Sequence, residues 1–464
     1  MKYKALFWTF FTAFTALFVC LIFNNNVWYD EAYTLAMVKH GFGEIARITA
    51  QDVHPPLYYY GLKCFFYITG NSLAAAKIFS IIPVCLTMIF GFRKISYLYG
   101  EKAGFLFSLF FASMPVYTIY SVQVRMYTWC IFFVFACGVY GLLAVKEDKT
   151  KYWILLALFA ALSAYTHYFA LVSAGIIYAF VMAASIKNKK LIKAFAFAAA
   201  VLLLYIPWLA SFLSQLADKV ENEYWISPIT WDTIGTYFKS WYKCGTHASA
   251  YMAGSFAVYV IAAVGICTNK NIKKLPVLLG VSVFVLTCAV GIAASLLVRP
   301  VFLDRYANHA LVFLTVFAAV GIASFDKKSL CVLISVFYIL GFLTNYKTDY
   351  DFEYGEKDSE IGEYINGNDF DALICFSTSP LYGVLSYYSE NIPIYRPKTS
   401  LGSPFENIYE LSRLDAKSCK KAALFVSDSK EVPEEIYNMF ENVEYDRDVV
   451  SYWQKSNVYI LSNK

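Results

Sequence analysis

Long apolar runs separated by short basic loops occupy roughly the first three quarters of the chain; short apolar runs bounded by Asp, Asn, Ser and Gly occupy the rest. A bilayer core about 30 Å thick takes about 20 apolar residues as helix. On that measure eleven spans are predicted: Ala5–Phe23, Ser72–Phe92, Ala103–Pro115, Tyr127–Val145, Tyr152–Tyr165, Tyr168–Ile186, Ala194–Leu213, Ser249–Cys267, Pro276–Leu297, Ala307–Ser324 and Ser329–Thr344. The stretch Tyr152–Ile186 is uncharged and too long for one helix, so its His167 marks a tight turn with Thr166. Met114-Pro115 interrupts an apolar run before Arg125, whose charge is costly at bilayer depth and belongs in the connection between the third and fourth spans. The first run follows Met1-Lys-Tyr-Lys without a small-x-small cleavage site behind it, and reads as an anchor.

After Asn345 the pattern changes. Ala372–Phe376, Ala422–Val426 and Asn457–Leu461 read as strands, and Pro380–Tyr388 and Pro433–Phe440 as helices between them. The expected fold class is a multi-pass α-helical membrane protein of about eleven transmembrane helices with a small C-terminal α/β soluble domain. The transmembrane domain would cover 1–344, with 24–71 as its first outer loop, and the soluble domain 345–464.

Composition sharpens this. Of 464 residues, 59% are hydrophobic, 19% aromatic and 16% charged, with a mean hydropathy of +0.50, which excludes a soluble enzyme. The net charge of +5 conceals an asymmetry: residues 1–344 carry 27 Lys and Arg against 13 Asp and Glu, and residues 345–464 carry 12 against 21. The whole-chain value therefore points to no nucleic acid partner. Eleven Cys without a CxxC pair read as small buried hydrophobes; in the tail only Cys375 and Cys419 offer a pair.

Loop charge gives an orientation. Seventeen Lys and Arg fall in the alternate loops that begin with the N-terminus, and about half as many in the longer loops of the other set. The positive-inside rule then puts the N-terminus in the cytoplasm and, with eleven spans, the C-terminal domain outside a plasma membrane. All five His (His40, His54, His167, His247, His309) and acids such as Asp30, Glu31, Asp52, Glu223 and Asp304 fall at or near the outer surface, so the chemistry is expected there.

Four outer segments and one turn carry candidate residues. Asp30-Glu31, just beyond the first span, can bind a divalent cation or activate a hydroxyl, although acids in the first turn of a helix explain such a pair as often. In Gln51-Asp-Val-His-Pro-Pro-Leu-Tyr-Tyr-Tyr60 the double proline holds His54 out of helical conformation and can start the next helix, presenting Asp52 and His54 to solvent. Arg125, in Tyr120-Ser-Val-Gln-Val-Arg-Met-Tyr127, suits a phosphate at the membrane interface or, equally, a snorkelling role. Arg299 and Arg305 precede the tenth span, and Tyr165-Thr-His-Tyr-Phe169 fills the turn between spans five and six. Acids, imidazoles and guanidiniums from five separate segments are harder to explain as structure together than singly.

The ordered set resembles the GT-C superfamily of integral-membrane glycosyltransferases: Asp-Glu in the first outer loop, an HPPLYY motif, Q-x-R-x-Y, THYF, and R-Y before a late span. It is most similar to bacterial protein O-mannosyltransferase-like members related to the aminoarabinose transferases. The likeness covers residues 5–344. It implies transfer of a sugar from a polyprenyl monophosphate carrier to a hydroxyl acceptor on protein, lipid or cell-envelope glycan at the outer face, with inversion at the anomeric carbon. By the same resemblance Asp30 is the catalytic base with Glu31 beside it, and Asp30, Asp52 and His54 are the metal neighbours. Arg125 and Arg305 hold the donor phosphate, and Gln123, Tyr127, His167, Tyr59 and Tyr306 line the pocket. Here the double proline follows Val53-His54 where the aminoarabinose transferases have Glu-Lys. Two other classes compete. A transporter or flippase of lipid-linked sugars predicts mid-span charges, discontinuous helices and a repeated half; a scaffold has no need for its polar residues to converge.

Overall fold

The structure is a computed structural model and describes residues 2–187, 189–221, 226–242, 248–355, 358–376, 381–398, 403–427, 430–451 and 454–463. His247, Lys243 and Glu223, used in the loop-charge argument, lie outside the described residues. From the N-terminus the helices are α1 (Lys2–Cys20), α2 (Tyr29–Met37), α3 (Phe42–Gln51), α4 (Leu57–Thr69), α5 (Leu73–Tyr99), α6 (Glu101–Ala112), α7 (Pro115–Tyr120) and α8 (Tyr127–Glu147). They continue with α9 (Thr150–Thr166), α10 (Tyr168–Lys187), α11 (Leu191–Glu221), α12 (Trp231–Trp241), α13 (Ala248–Thr268), α14 (Lys274–Leu297), α15 (Val312–Ala323) and α16 (Lys328–Gly355). Then come α17 (Asp358–Asn366), β1 (Ala372–Phe376), α18 (Leu381–Tyr388), β2 (Ile394–Arg396), β3 (Ile408–Glu410), β4 (Ala422–Ser427), α19 (Glu434–Met439), β5 (Asn442–Ser451) and β6 (Gln454–Ser462).

The chain divides into two compact units, one of residues 1–22, 53–61 and 65–349, the other of 23–52, 62–64 and 350–464. The first is the membrane unit. Among the described residues eight helices are long and apolar enough to cross a bilayer, which makes this an integral membrane protein. The other three predicted spans are helices of 12, 17 and 12 residues, α6, α9 and α15. At 1.5 Å per residue they reach only about 18 to 26 Å, so the count of eleven full spans is not reproduced. The causes are local. Pro115 starts a new helix and ends the run of α6, and the apolar run before α15 opens instead with a 3-10 turn, Asp304–Ala307, followed by the buried polar pair Asn308 and His309.

Helix boundaries follow capping chemistry where it is present. Ser72 accepts the Ala75 N–H at 3.1 Å and opens α5, and Thr166-His167 separates α9 from α10 as expected. Packing relies on small residues where helices approach: a Cβ on Gly265 of α13 would lie 2.3 Å from the Gly321 carbonyl oxygen on α15, and one on Gly321 2.4 Å from the Ala262 oxygen. Such backbone-to-backbone contact substitutes for the hydrophobic effect, which lipid does not supply between helices.

The second unit contains a six-stranded sheet in the order β3-β2-β1-β4-β6-β5. The first four strands are parallel; β6 runs antiparallel to β4 and β5 antiparallel to β6. The central strands β1 and β4 are covered on both faces, which is why both read as continuous apolar runs. Alternation along β1 sends Leu373 and Cys375 into one layer with Ile361, Ile365 and Leu385, and Ala372 and Ile374 into the other with Ile436 and Phe440. Cys375 and Cys419 occupy opposite layers and are both free thiols, so the sheet itself separates the one tail pair.

Candidate active site

Four segments of the membrane unit converge. In the first, Pro55 and Pro56 precede α4 as predicted, but His54 is not presented to solvent: it is only 6% exposed. Its ring lies 5.1 Å from that of His167 and 6.4 Å from that of Tyr306, which cover it. In the second, the turn between α7 and α8 buries Gln123, Arg125 and Tyr127. The Gln123 carbonyl pins this turn, accepting the Arg125 N–H at 2.7 Å and the Ser80 hydroxyl at 2.5 Å. Arg125 is 4% exposed, whereas a snorkelling arginine would keep its guanidinium in water.

The third segment is the Thr166–Phe169 turn. His167 is buried; its Nδ1 accepts the Phe169 N–H at 3.1 Å, so the ring proton is assigned to Nε2. That Nε2 has no hydrogen-bond partner among the described residues. Burial pushes the His167 pKa well below the ordinary imidazole range, and His309, Arg125 and Arg305 act in the same direction. The group is thus a neutral N–H donor set among cations. Its ring also lies 4.9 Å from Tyr306 and 6.3 Å from Tyr127.

The fourth segment carries Arg305 and Tyr306. The guanidinium carbon stands 5.7 Å from the Tyr306 ring centre, and Phe169 stacks on that ring at 5.5 Å. The short helix α12 fixes this stretch: Trp241 Nε1 donates to the Asp304 carbonyl at 3.0 Å, Tyr237 donates its hydroxyl to the Phe302 carbonyl at 3.0 Å, and Ser240 bonds the Asp304 carboxylate. Tyr59 is fully buried, 5.8 Å from Tyr58 ring to ring.

Two residues escaped the sequence reading. Asn308 is 2% exposed, and neither its side-chain oxygen nor its nitrogen has a partner among the described residues; a polar residue three positions after Arg305 at the head of an apolar run was the available signal. Lys77 is 1% exposed inside α5, one turn before Ser80 and so on the same helix face. A lysine ammonium is costly to bury without compensation, and Lys77 is a charge inside the predicted span Ser72–Phe92.

The acids belong to the second unit. Asp30 and Glu31 lie in the first turn of α2. Glu31 is buried, and its carboxylate accepts the Trp28 N–H at 3.4 Å, so it closes the start of the helix. Asp30 is partly exposed. Between them and the sheet lies Tyr29, whose hydroxyl hydrogen-bonds that of Tyr382 at 2.9 Å. Burial, then Tyr382, then the charges of Asp52 and Asp30 hold the Tyr29 phenol well above its ordinary range. Both carboxylates are therefore within electrostatic reach of Tyr29. The fit of the helix is close: a Cβ on Gly383 of α18 would lie 2.5 Å from the Tyr29 ring. Among the described residues no three His, Cys, Asp or Glu assemble as metal ligands. The Asp30, Asp52 and His54 set is not gathered into such a group.

The family model of dolichyl-phosphate-mannose-protein mannosyltransferases matches residues 53–210. No curated protein matches the chain by sequence. The crystal structure of ArnT from Cupriavidus metallidurans in the apo state superposes with a TM-score of 0.67 at 10% identity, covering 98% of each chain. The same protein bound to undecaprenyl phosphate gives 0.64 at 10% identity, with 99% of this chain and 98% of that one covered. At this identity the likeness is one of fold. The chain has the fold of ArnT, and its residues 53–210 match the mannosyltransferase family model.

Proposed function

We propose that the protein moves a sugar from a polyprenyl-phosphate carrier to a hydroxyl acceptor, with Asp30 as the base. The observation that carries this reading is the gathering of the buried Arg125, His54, His167 and Tyr306 with the half-buried Arg305 in one cluster of a membrane unit. Such a cluster supplies what a lipid phosphate at the interface requires: cationic and N–H donors in a water-poor setting, where they act strongly on developing charge. The undecaprenyl phosphate held by the structurally similar ArnT supports a polyprenyl phosphate as the leaving group.

In this mechanism Asp30 accepts the acceptor's hydroxyl proton as the oxygen attacks the anomeric carbon. The bond from that carbon to the phosphate oxygen breaks, and the electron pair leaves on polyprenyl phosphate. Arg125 and Arg305 stabilise the departing phosphate, and the His167 N–H donates to one of its oxygens. Glu31 keeps its place as the cap of α2. Among the described residues no three-residue ligand set assembles, and the steps are those of the protein's own groups.

Transport has one observation on its side, the buried lysine Lys77 near the start of a helix long enough to span a bilayer. That lysine lies one turn from the serine that pins the Gln123 carbonyl, which ties it to the donor cluster rather than to a path through the bundle. The test is sugar transfer by purified protein in lipid, with a panel of radiolabelled polyprenyl-phosphate sugars and a crude envelope acceptor. Transfer from one donor establishes the class; silence with every donor from a folded protein overturns it.

Two smaller effects check the geometry. His167→Phe keeps the ring packing but deletes the N–H, and is expected to raise the donor KM about tenfold to a hundredfold, the worth of one hydrogen bond to a charged group. It also removes the Nδ1 acceptor of the Phe169 N–H, so a modest fall in melting temperature is expected beside the KM effect; a loss of stability with unchanged KM would mark a core histidine. Gly383→Val displaces Tyr29 and with it α2, and should reduce kcat at least tenfold, because small displacements of reacting groups are expensive. Unchanged kcat would show that α2 tolerates the shift.

A further inference from the structure

A second chamber lies at the far end of the membrane unit. Helices α8 and α10 begin at the donor cluster, with Tyr127 and Tyr168, and run away from it to Lys146 and Lys187. Near those ends, α5, α8, α10, α14 and α15 enclose a cavity of about 550 Å³ with an overwhelmingly apolar lining that includes Phe135, Gly138, Ile177, Gly280 and Phe313. That volume lies in the range of built small-molecule sites. Glycines on α8 let neighbouring side chains pack closely in its wall, a Cβ on Gly138 lying 2.8 Å from the Phe313 ring, at some cost to that helix.

The chamber does not end blindly. It shares Leu98, Tyr99, Leu142 and Pro276 with a smaller cavity of about 360 Å³ whose mixed lining adds two cations and two amides, Lys146, Lys273, Asn269 and Asn271; Lys187 lines the apolar side. The neighbouring acids are engaged elsewhere. Asp148 is bridged by Lys193 at 3.0 Å and Lys190 at 3.9 Å, and Glu147 by Lys149 at 2.7 Å. No ion pair joins Lys146, Lys187 or Lys273 to a carboxylate among the described residues. Lys146 instead stands 5.2 Å from the Tyr97 ring centre.

An apolar chamber opening into a cationic vestibule has the shape and charge of a receptor for an amphiphile with an anionic head. We infer that this end of the bundle is a binding site for an anionic phospholipid, one acyl chain in the chamber and its phosphate between Lys146 and Lys273. Asn269 and Asn271 provide donors for the head group, and Lys187 lies near enough to add to the field. The site is separate from the donor cluster, and its occupation does not depend on the transfer reaction.

The test uses full-length protein in nanodiscs with phosphatidylglycerol or phosphatidylcholine bearing a diazirine on one acyl chain. After illumination, labelled peptides are mapped by mass spectrometry. Phosphatidylglycerol should label peptides of α8 and α14 around Leu142 and Gly280 at least tenfold more than phosphatidylcholine. Each lysine near a membrane surface favours an anionic lipid about fivefold, so the combined K146Q, K187Q and K273Q variant should lose that preference by tenfold or more. Gly280→Leu, which fills the chamber, should remove the label from the same peptides. Equal labelling by the two lipids, or an undiminished preference in the lysine variant, overturns the assignment. So does preferential labelling of these peptides by a photoactivatable polyprenyl phosphate, which would give the chamber to the donor.

Discussion

Asp30→Asn is expected to lower sugar transfer by two to four orders of magnitude while the protein inserts and folds as before. Asparagine has the size and shape of aspartate and also suits the start of a helix. The Asp30 backbone carbonyl, which accepts the Thr34 hydroxyl at 2.9 Å, is untouched by the change. What is lost is the ability to take a proton, together with one negative charge in the first turn of α2 near Tyr29. The comparison is initial rate against donor concentration for wild type and variant reconstituted in parallel, with melting temperature as the control on folding. The donor KM should be nearly unchanged, because the acid acts on the acceptor and not on the carrier. Glu31→Gln provides the contrast: its carboxylate closes the α2 turn through Trp28, so the expected change is in stability, with catalysis largely retained. Near-normal transfer by Asp30→Asn would remove the base assignment, and collapse with Glu31→Gln alone would move it by one residue.

The second large effect is at Arg125. Arg125→Gln should reduce kcat/KM for the lipid donor by at least a hundredfold, the usual cost of removing one donor aimed at charge that develops in the transition state. Arg125→Lys should not restore it, since a point charge cannot reproduce the planar fork that grips a phosphate. Structural and functional roles separate in a thermal-shift experiment. A ligand that binds only the folded protein raises its stability by mass action, so undecaprenyl phosphate should raise the melting temperature of wild type and leave Arg125→Gln unmoved. A variant that melts early but still responds to the ligand would make Arg125 a structural residue.

Much of the membrane unit was legible because lipid imposes a simple requirement on sequence, a run of apolar residues with its polar groups at the ends. Ser72, Pro115 and Thr166-His167 then marked boundaries by ordinary capping and turn chemistry. The strand Ala372–Phe376 was read to the residue, since a strand covered on both faces announces itself. Length was less legible: a run of apolar letters does not reveal that Asn308 and His309 interrupt helix formation before α15, because what holds them is tertiary, such as the His309 contact with Ser173 at 2.9 Å. Strands β2 and β3 have only three residues each, and β5 presents Glu444, Asp446, Arg447 and Asp448 along an edge, the charges that guard an open strand but erase its alternation.

At the candidate site, the residue types were legible and their surroundings were not. His54 was expected in water and lies under His167 and Tyr306, because aromatic residues more than a hundred positions away in the chain fold over it. Lys77 was hidden for the opposite reason, a single charge absorbed into an apolar run. The partner of the first outer loop was invisible altogether, since nothing within residues 23–52 reveals that their unit is completed by residues 350–464.

That partnership sets an order of events at the ribosome. Tyr29 and the tyrosine that holds it are 353 positions apart, and at about 5 to 20 residues per second the wait between them is on the order of 20 to 70 s. Throughout that interval the helix bearing the proposed base has left the ribosome without the surface on which it rests. An unfinished copy of this protein, already threaded through the membrane, would thus be born inert, and the proposed chemistry would be switched on by the last quarter of its own translation.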